Sequence, residues 1–134
     1  ATLATPNLGE VRLLTGVEVG TRADLAKAAA AMLDLGPQWV LIKGGHLDGA
    51  ESVDLLSDGH ETIEFPAART DTAHTHGSGD TLAAAVTAGL ARGYSVPDAV
   101  AQGKRFITSA VQGSFGLGAG LGPVGHFWRV GDWP

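Results

Sequence analysis

The stretch HTHGSGDTLAAAVTAGLARG, residues 74–93, sets glycine and polar residues directly against an alanine-rich helical pattern. A helix N-terminus presents unpaired backbone N–H groups and a partial positive charge, and glycines just before it let an anion approach those donors closely. Gly77, Ser78 and Gly79 are therefore candidates for a phosphate cradle, and Asp80 for a carboxylate beside it. The stretch is neither a G-x-x-x-x-G-K-[ST] loop nor a G-x-G-x-x-G loop. Its plain structural reading is that Ser78 or Asp80 caps the helix.

Other residues pose the same choice. Asn7 and Glu10, in N-x-x-E spacing, form either a capping box or a way to set an acid near a metal-bound phosphate. Lys43 ends the apolar run WVLIK before Gly44-Gly45, so its ammonium emerges either into solvent or at the carboxyl-end crevice where open α/β sheets bind ligands. His74 and His76 form an H-x-H pair without further spaced ligands, which points to a loop role rather than a zinc site. His46, His60 and His126 have no partner at recognised spacing and read as polar loop residues, and Asp71 as a turn carboxylate.

These residues need elements to position them. Residues 2–5 predict a short strand stopped by Pro6, and Asn7 to Leu14 a brief helix ended by Gly16. A second helix starts in a capping-box-like Thr21-Asp24 pair, repeats Leu25, Ala28, Ala29, Met32 and Leu35 at helical spacing, and stops at Gly36-Pro37. Residues 39–43 read as a strand covered on both faces, as in a parallel sheet. The Asp58-Gly59 turn between SVDLL and ETIEF predicts an antiparallel hairpin over residues 52–65. Two further helices follow. One runs from about Ser78 to Ala91 with Leu82, Ala85, Val86 and Leu90 on one face; the other starts near Ser95, with Asp98 as box partner, and buries Val100, Phe106, Ile107 and Val111. The glycine-rich tail, residues 113–134, carries Phe115, Phe127, Trp128 and Trp133 and reads as an ordered loop.

Composition narrows the partners. The 134 residues are 44% hydrophobic and 17% charged, within reach of one domain, and no apolar run suggests a membrane span. Cysteine is absent, which excludes disulfides and thiolate chemistry and is compatible with a reducing cytoplasm. A formal charge of −5 argues against nucleic acid, so any anionic ligand must be held by local devices.

Taken in order, TPNLGEVRLLTG, VLIKGGHLDG, DTAHTHGSGDTLAAAVTAGLARG and GPVGHFW resemble the second half of the hydroxymethylpyrimidine/phosphomethylpyrimidine kinases of the ribokinase-like superfamily. The resemblance implies an α/β, ribokinase-like three-layer sandwich with a mostly parallel sheet and an antiparallel hairpin. Residues 1–134 would be a single domain, the C-terminal half of such a kinase, beginning at Ala1 with the N-terminal half absent. It also implies a cytoplasmic Mg2+-ATP kinase that phosphorylates hydroxymethylpyrimidine and then its monophosphate, for thiamine synthesis. On that pattern Gly77, Ser78 and Gly79 match the anion hole and Asp80 the catalytic position. Asn7 and Glu10 match a motif associated with phosphate and Mg2+, Glu10 acting through water, and Lys43 matches the lysine expected to reach the ATP phosphates. Lys104 lies in a helix that borders the nucleotide in similar proteins. The implied partners are a small pyrimidine and either a second copy of the chain or an N-terminal half, with no nucleic acid and no membrane. Two departures stand out: many members carry Cys where this chain has Asp80, and Gly125 replaces a polar residue often found in the last segment. Asp80 also fits a pyridoxal or sugar kinase of the same fold. A third reading is a nucleotide-binding half that is inactive until another half completes it.

Overall fold

The computed structural model of the chain describes residues 1–45 and 51–130. Its contacts divide it into two compact units, Ala1–Arg69 and Thr70–Pro134. In the first, β1 (Leu3–Ala4) is followed by α1 (Leu8–Thr15), α2 (Asp24–Leu33), β2 (Trp39–Ile42), β3 (Glu51–Ser57) and β4 (Thr62–Ala68). The strands lie in the order β1-β2-β3-β4; β1 is parallel to β2, and the two remaining pairings are antiparallel. The sheet is thus mixed. The chain between Ile42 and Glu51 is shorter than the dozen or so residues a parallel crossover needs, so β3 returns beside β2 with Leu41 opposite Leu56.

The apolar periodicities find their places except at Leu35, which lies past the end of α2 in the turn that closes the helix and is exposed. Val11 of α1 and Leu25, Ala28, Ala29 and Met32 of α2 pack with Val40 and Ile42 of β2 and Leu55 of β3 in one buried cluster. Leu41 and Leu56, which point to the opposite face by alternation, are buried as well, so β2 is covered on both sides as its unbroken apolar run predicts. β4 alternates between exposed and half-buried residues and carries Pro66, which an edge strand tolerates because its N–H need not serve a ladder. Arg22, just before α2, makes a two-point ion pair with Glu64 of β4, fixing the helix start over the sheet edge.

α2 begins later than the Thr21-Asp24 pair predicts. The amides of Asp24 and Leu25 bond three residues back, to Thr21 and Arg22, so residues 21–24 form tight turns before the helix. Asp24 accepts from the Gly20 and Thr21 amides and from the Thr21 hydroxyl, so Thr21 donates where a cap would accept.

The hairpin turn is built by Asp58, whose Oδ1 accepts from the Glu61 and His60 amides at 2.7 and 2.9 Å. These bonds, the Glu61 one foremost, hold its carboxyl below the usual carboxylate range. A folded value below the unfolded one means that this contribution is fully present above roughly pH 4 and is lost as pH falls through the lower folded value. Asp58→Ala is therefore expected to lower the melting temperature near neutrality, and the gap to the parent should close in strong acid. Thermal melts from about pH 7 down to pH 2 check this.

The second unit holds α3 (Ser78–Ala91), α4 (Val96–Gln112) and the tail. The Ser95 hydroxyl caps α4, accepting from the Asp98 amide and donating to the Asp98 carboxylate at 2.6 Å. α3 and α4 pack closely because Gly103 leaves room: a Cβ there would lie 2.7 Å from Val86 Cγ2. Of the apolar positions expected to be buried, Leu82, Val86, Val100 and Ile107 are buried, while Ala85, Leu90, Phe106 and Val111 are only half-buried. Tail and helix meet in tilted contact between the rings of Trp128 and Phe106, 6.1 Å apart. Trp133 lies outside the described residues. Among the described residues, no helix is long and apolar enough to cross a membrane.

Candidate active site

The first unit gathers three of the expected residues at the carboxyl ends of β1 and β2. Because these strands run parallel, Asn7 and Lys43 follow them side by side and form an isolated parallel bridge, with the Lys43 amide donating to the Pro6 carbonyl at 2.9 Å. Asn7 and Glu10 make a complete capping box. Asn7 Oδ1 accepts from the Glu10 amide at 2.9 Å, and Glu10 Oε2 accepts from the Asn7 amide at 2.7 Å. The box leaves the exposed Glu10 its other oxygen for water or a hydrated cation.

A residue not singled out in the sequence sets the turn after Lys43. Asp54 of β3 is buried and accepts from the Gly44 amide at 3.0 Å. A buried carboxylate is costly unless hydrogen-bonded. The hint was an acid in the middle of the apolar run SVDLL, but nothing local named its partner. His46 lies outside the described residues.

The second unit holds the other candidates. α3 starts at Gly77 in the left-handed conformation, φ 81°, and no side chain caps it. Neither Ser78 nor Asp80 therefore serves as the capping residue. The Ser78 amide donates to the Thr75 carbonyl and the Thr81 amide to the Gly77 carbonyl. Among the described residues, no acceptor meets the amides of Gly79 and Asp80. Two free donors thus sit beside an exposed carboxylate, where an anion would be stabilised by the helix start.

Asp80 lines a cavity of about 640 Å³ together with Thr81, Arg105, Phe106, His126 and Arg129. The Arg129 guanidinium lies 4.8 Å from the Trp128 ring centre, which holds this cation at the cavity wall. Lys104 sits half-buried on α4 and is not among the residues that line the cavity. Asp71 is exposed. His74 is held in the protein, its Nδ1 accepting from the Gly122 amide at 2.9 Å. No group of three potential ligands suited to a metal occurs among the described residues. His126, which reads in the sequence as a loop residue, lies with Nε2 2.8 Å from Thr81 Oγ1.

The family model for phosphomethylpyrimidine kinase matches residues 1–125. A hydroxymethylpyrimidine/phosphomethylpyrimidine kinase of Streptomyces coelicolor is 56% identical over 132 residues, 98% of this chain and 49% of that protein. The chain spans about half the length of the curated relatives it matches. Among solved structures, an ADP complex of Bacillus subtilis pyridoxal kinase superposes with a TM-score of 0.92 at 41% identity, covering 98% of this chain and 50% of that one. A pyridoxal kinase of Staphylococcus aureus, solved with AMP-PCP, gives 0.90 at 40% identity over 94% of this chain and 47% of that one. The expected α/β, ribokinase-like fold class is met by these neighbours.

Proposed function

The chain belongs to the phosphomethylpyrimidine kinase family, and on that premise we propose that residues 1–134 are a single domain, the C-terminal half of a kinase acting in thiamine biosynthesis. The reaction is transfer of the ATP γ-phosphoryl group, first to hydroxymethylpyrimidine and then to its monophosphate. The observation that carries the reading is the uncapped start of α3, with the free Gly79 and Asp80 amides beside the Asp80 carboxylate. Phosphoryl transfer needs little covalent chemistry from the protein; positioning and charge stabilisation supply most of the rate.

Gly77, Ser78 and Gly79 form the turn of the anion hole, in which the free Gly79 and Asp80 amides meet developing negative charge on the transferred group. Asp80 accepts the proton of the attacking hydroxyl. Lys43 and Asn7 hold ATP phosphates, and Lys104 borders the nucleotide. A lone carboxylate at Glu10 fits Mg2+, which dehydrates reluctantly and binds through one or two carboxylates plus substrate phosphates. When bound there, the ion would neutralise part of the phosphate charge. A cytoplasmic setting goes with the dependence on ATP and the absence of cysteine. β1 ends the sheet among the described strands, and an edge strand offers backbone groups to a partner, either a second copy or an N-terminal half.

Calorimetric titration of the chain with Mg2+-ADP tests this reading. Wild type is expected to bind in the sub-millimolar range. Lys43→Ala should weaken binding about 10- to 100-fold, the usual worth of a charged hydrogen bond. A folded chain that binds no nucleotide would remove the phosphate site from this half. A second reading, a pyridoxal kinase, is favoured by Asp80 and by the similarity to the two pyridoxal kinases; competing the two acceptors in a longer form of the enzyme separates them.

A further inference from the structure

With no side-chain cap, the first turn of α3 needs another support, and the glycine-rich tail provides it. Pro123 bridges His76 in parallel, and the His76 amide faces the Gly122 carbonyl at 3.4 Å. The Gly122 amide in turn donates to His74 Nδ1 at 2.9 Å. The tail is anchored from behind: the Gly125 amide donates to the Ala110 carbonyl of α4 at 2.7 Å, and Val124 is buried.

The last support is a side-chain bond. Thr15 and Thr87 turn their hydroxyls back onto the carbonyls of Val11 and Ala83, the usual habit of a helical threonine. Thr81 does not. It is buried at 8% exposure, and its hydroxyl meets His126 Nε2 at 2.8 Å, across 45 residues of sequence. His126 and Asp80 line the same cavity, and Asp80 directly precedes Thr81.

We infer that His126 is a positioning residue for phosphoryl transfer: by holding Thr81 from the tail it fixes the first turn of α3, and so the aim of the Asp80 carboxylate and of the free Gly79 and Asp80 amides. This rests on the kinase reading for its purpose, but its geometry can be tested separately.

The experiment compares wild type, His126→Ala, His126→Gln and the isosteric Thr81→Val by amide hydrogen exchange and by Mg2+-ADP titration. His126→Ala is expected to speed exchange of the Ser78 and Thr81 amides and to weaken Mg2+-ADP binding, each about five- to tenfold, the worth of one side-chain hydrogen bond. Amides in the middle of α4 should not change. His126→Gln, whose amide can still meet the hydroxyl, should recover most of both losses. Thr81→Val should reproduce His126→Ala, and combining the two should add nothing further. Wild-type exchange at Ser78 and Thr81 in His126→Ala overturns the inference. So does an equal rise throughout both helices, or a Gln variant no better than Ala. If wild type itself binds no Mg2+-ADP, the nucleotide reading of this chain fails, while the exchange comparison still decides whether His126 holds the turn.

Discussion

Asp80→Asn, made in a form of the kinase that carries an N-terminal half, is expected to slow phosphorylation of the hydroxymethyl group about 100- to 10,000-fold, the span of general-base contributions. The exposed Asp80 carboxylate stands at the third residue of α3, next to amides with no acceptor among the described residues. Asparagine keeps the shape and can still accept a hydrogen bond from the hydroxyl, but it cannot take the proton. The second phosphorylation separates base chemistry from simple positioning. A phosphate monoester acceptor has little proton to give up, so the same variant should lose less than about tenfold there. The check is steady-state kinetics with each acceptor in turn. Equal losses in both steps would mean that Asp80 places or repels charge rather than accepting a proton. A loss on pyridoxal with none on the pyrimidine would transfer the base role to the other reading.

Gly122→Ala is expected to be among the most destabilising single changes in the second unit. A Cβ at this position would lie 2.0 Å from the Phe115 carbonyl oxygen and 2.9 Å from His74 Nδ1. The first obstacle is backbone, which cannot swing aside as the tip of a side chain can. The second is the acceptor of Gly122's own amide. Overpacking of this kind costs about 1–3 kcal/mol and occasionally more, or roughly 4–11 °C in melting temperature for a chain of this size. Gly120→Ala is the control, since a Cβ there meets nothing within 4 Å, and it should stay within about 0.5 kcal/mol of wild type. Thermal melts of the two variants beside wild type give the comparison. Equal melting temperatures would show that residues 115 and 122 can part without cost, and that the tail does not anchor the first turn of α3. The same geometry explains the Gly125 departure noted in the sequence: a Cβ there would approach the Gly113 carbonyl oxygen to 2.2 Å, so no larger residue fits this backbone crossing.

Short-range rules made much of the chain legible. Asn7 and Glu10 lie three residues apart, so their box follows from helix geometry alone, as does the Ser95-Asp98 start of α4. The hairpin was legible because Asp58-Gly59 turns locally, and β2 because an apolar run between turn signals has few other uses. Thr21-Asp24 misled on the helix start because the same two residues also close a tight turn, and spacing does not distinguish the two.

By its sequence alone, then, this protein determined its helices, its hairpin and the order of motifs that resembles a kinase half, because each depends on residues a few positions apart. Tertiary structure alone decided which polar groups remain free and which are tied down. Asp54 under the Gly44 turn, His74 on Gly122 and His126 on Thr81 join residues 10, 48 and 45 positions apart. No periodicity encodes such pairings, since they exist only once the backbone has brought distant segments within hydrogen-bonding reach. The free amides of Gly79 and Asp80 belong to the same class: the sequence offered Ser78 and Asp80 as caps, and only the folded turn left the donors open.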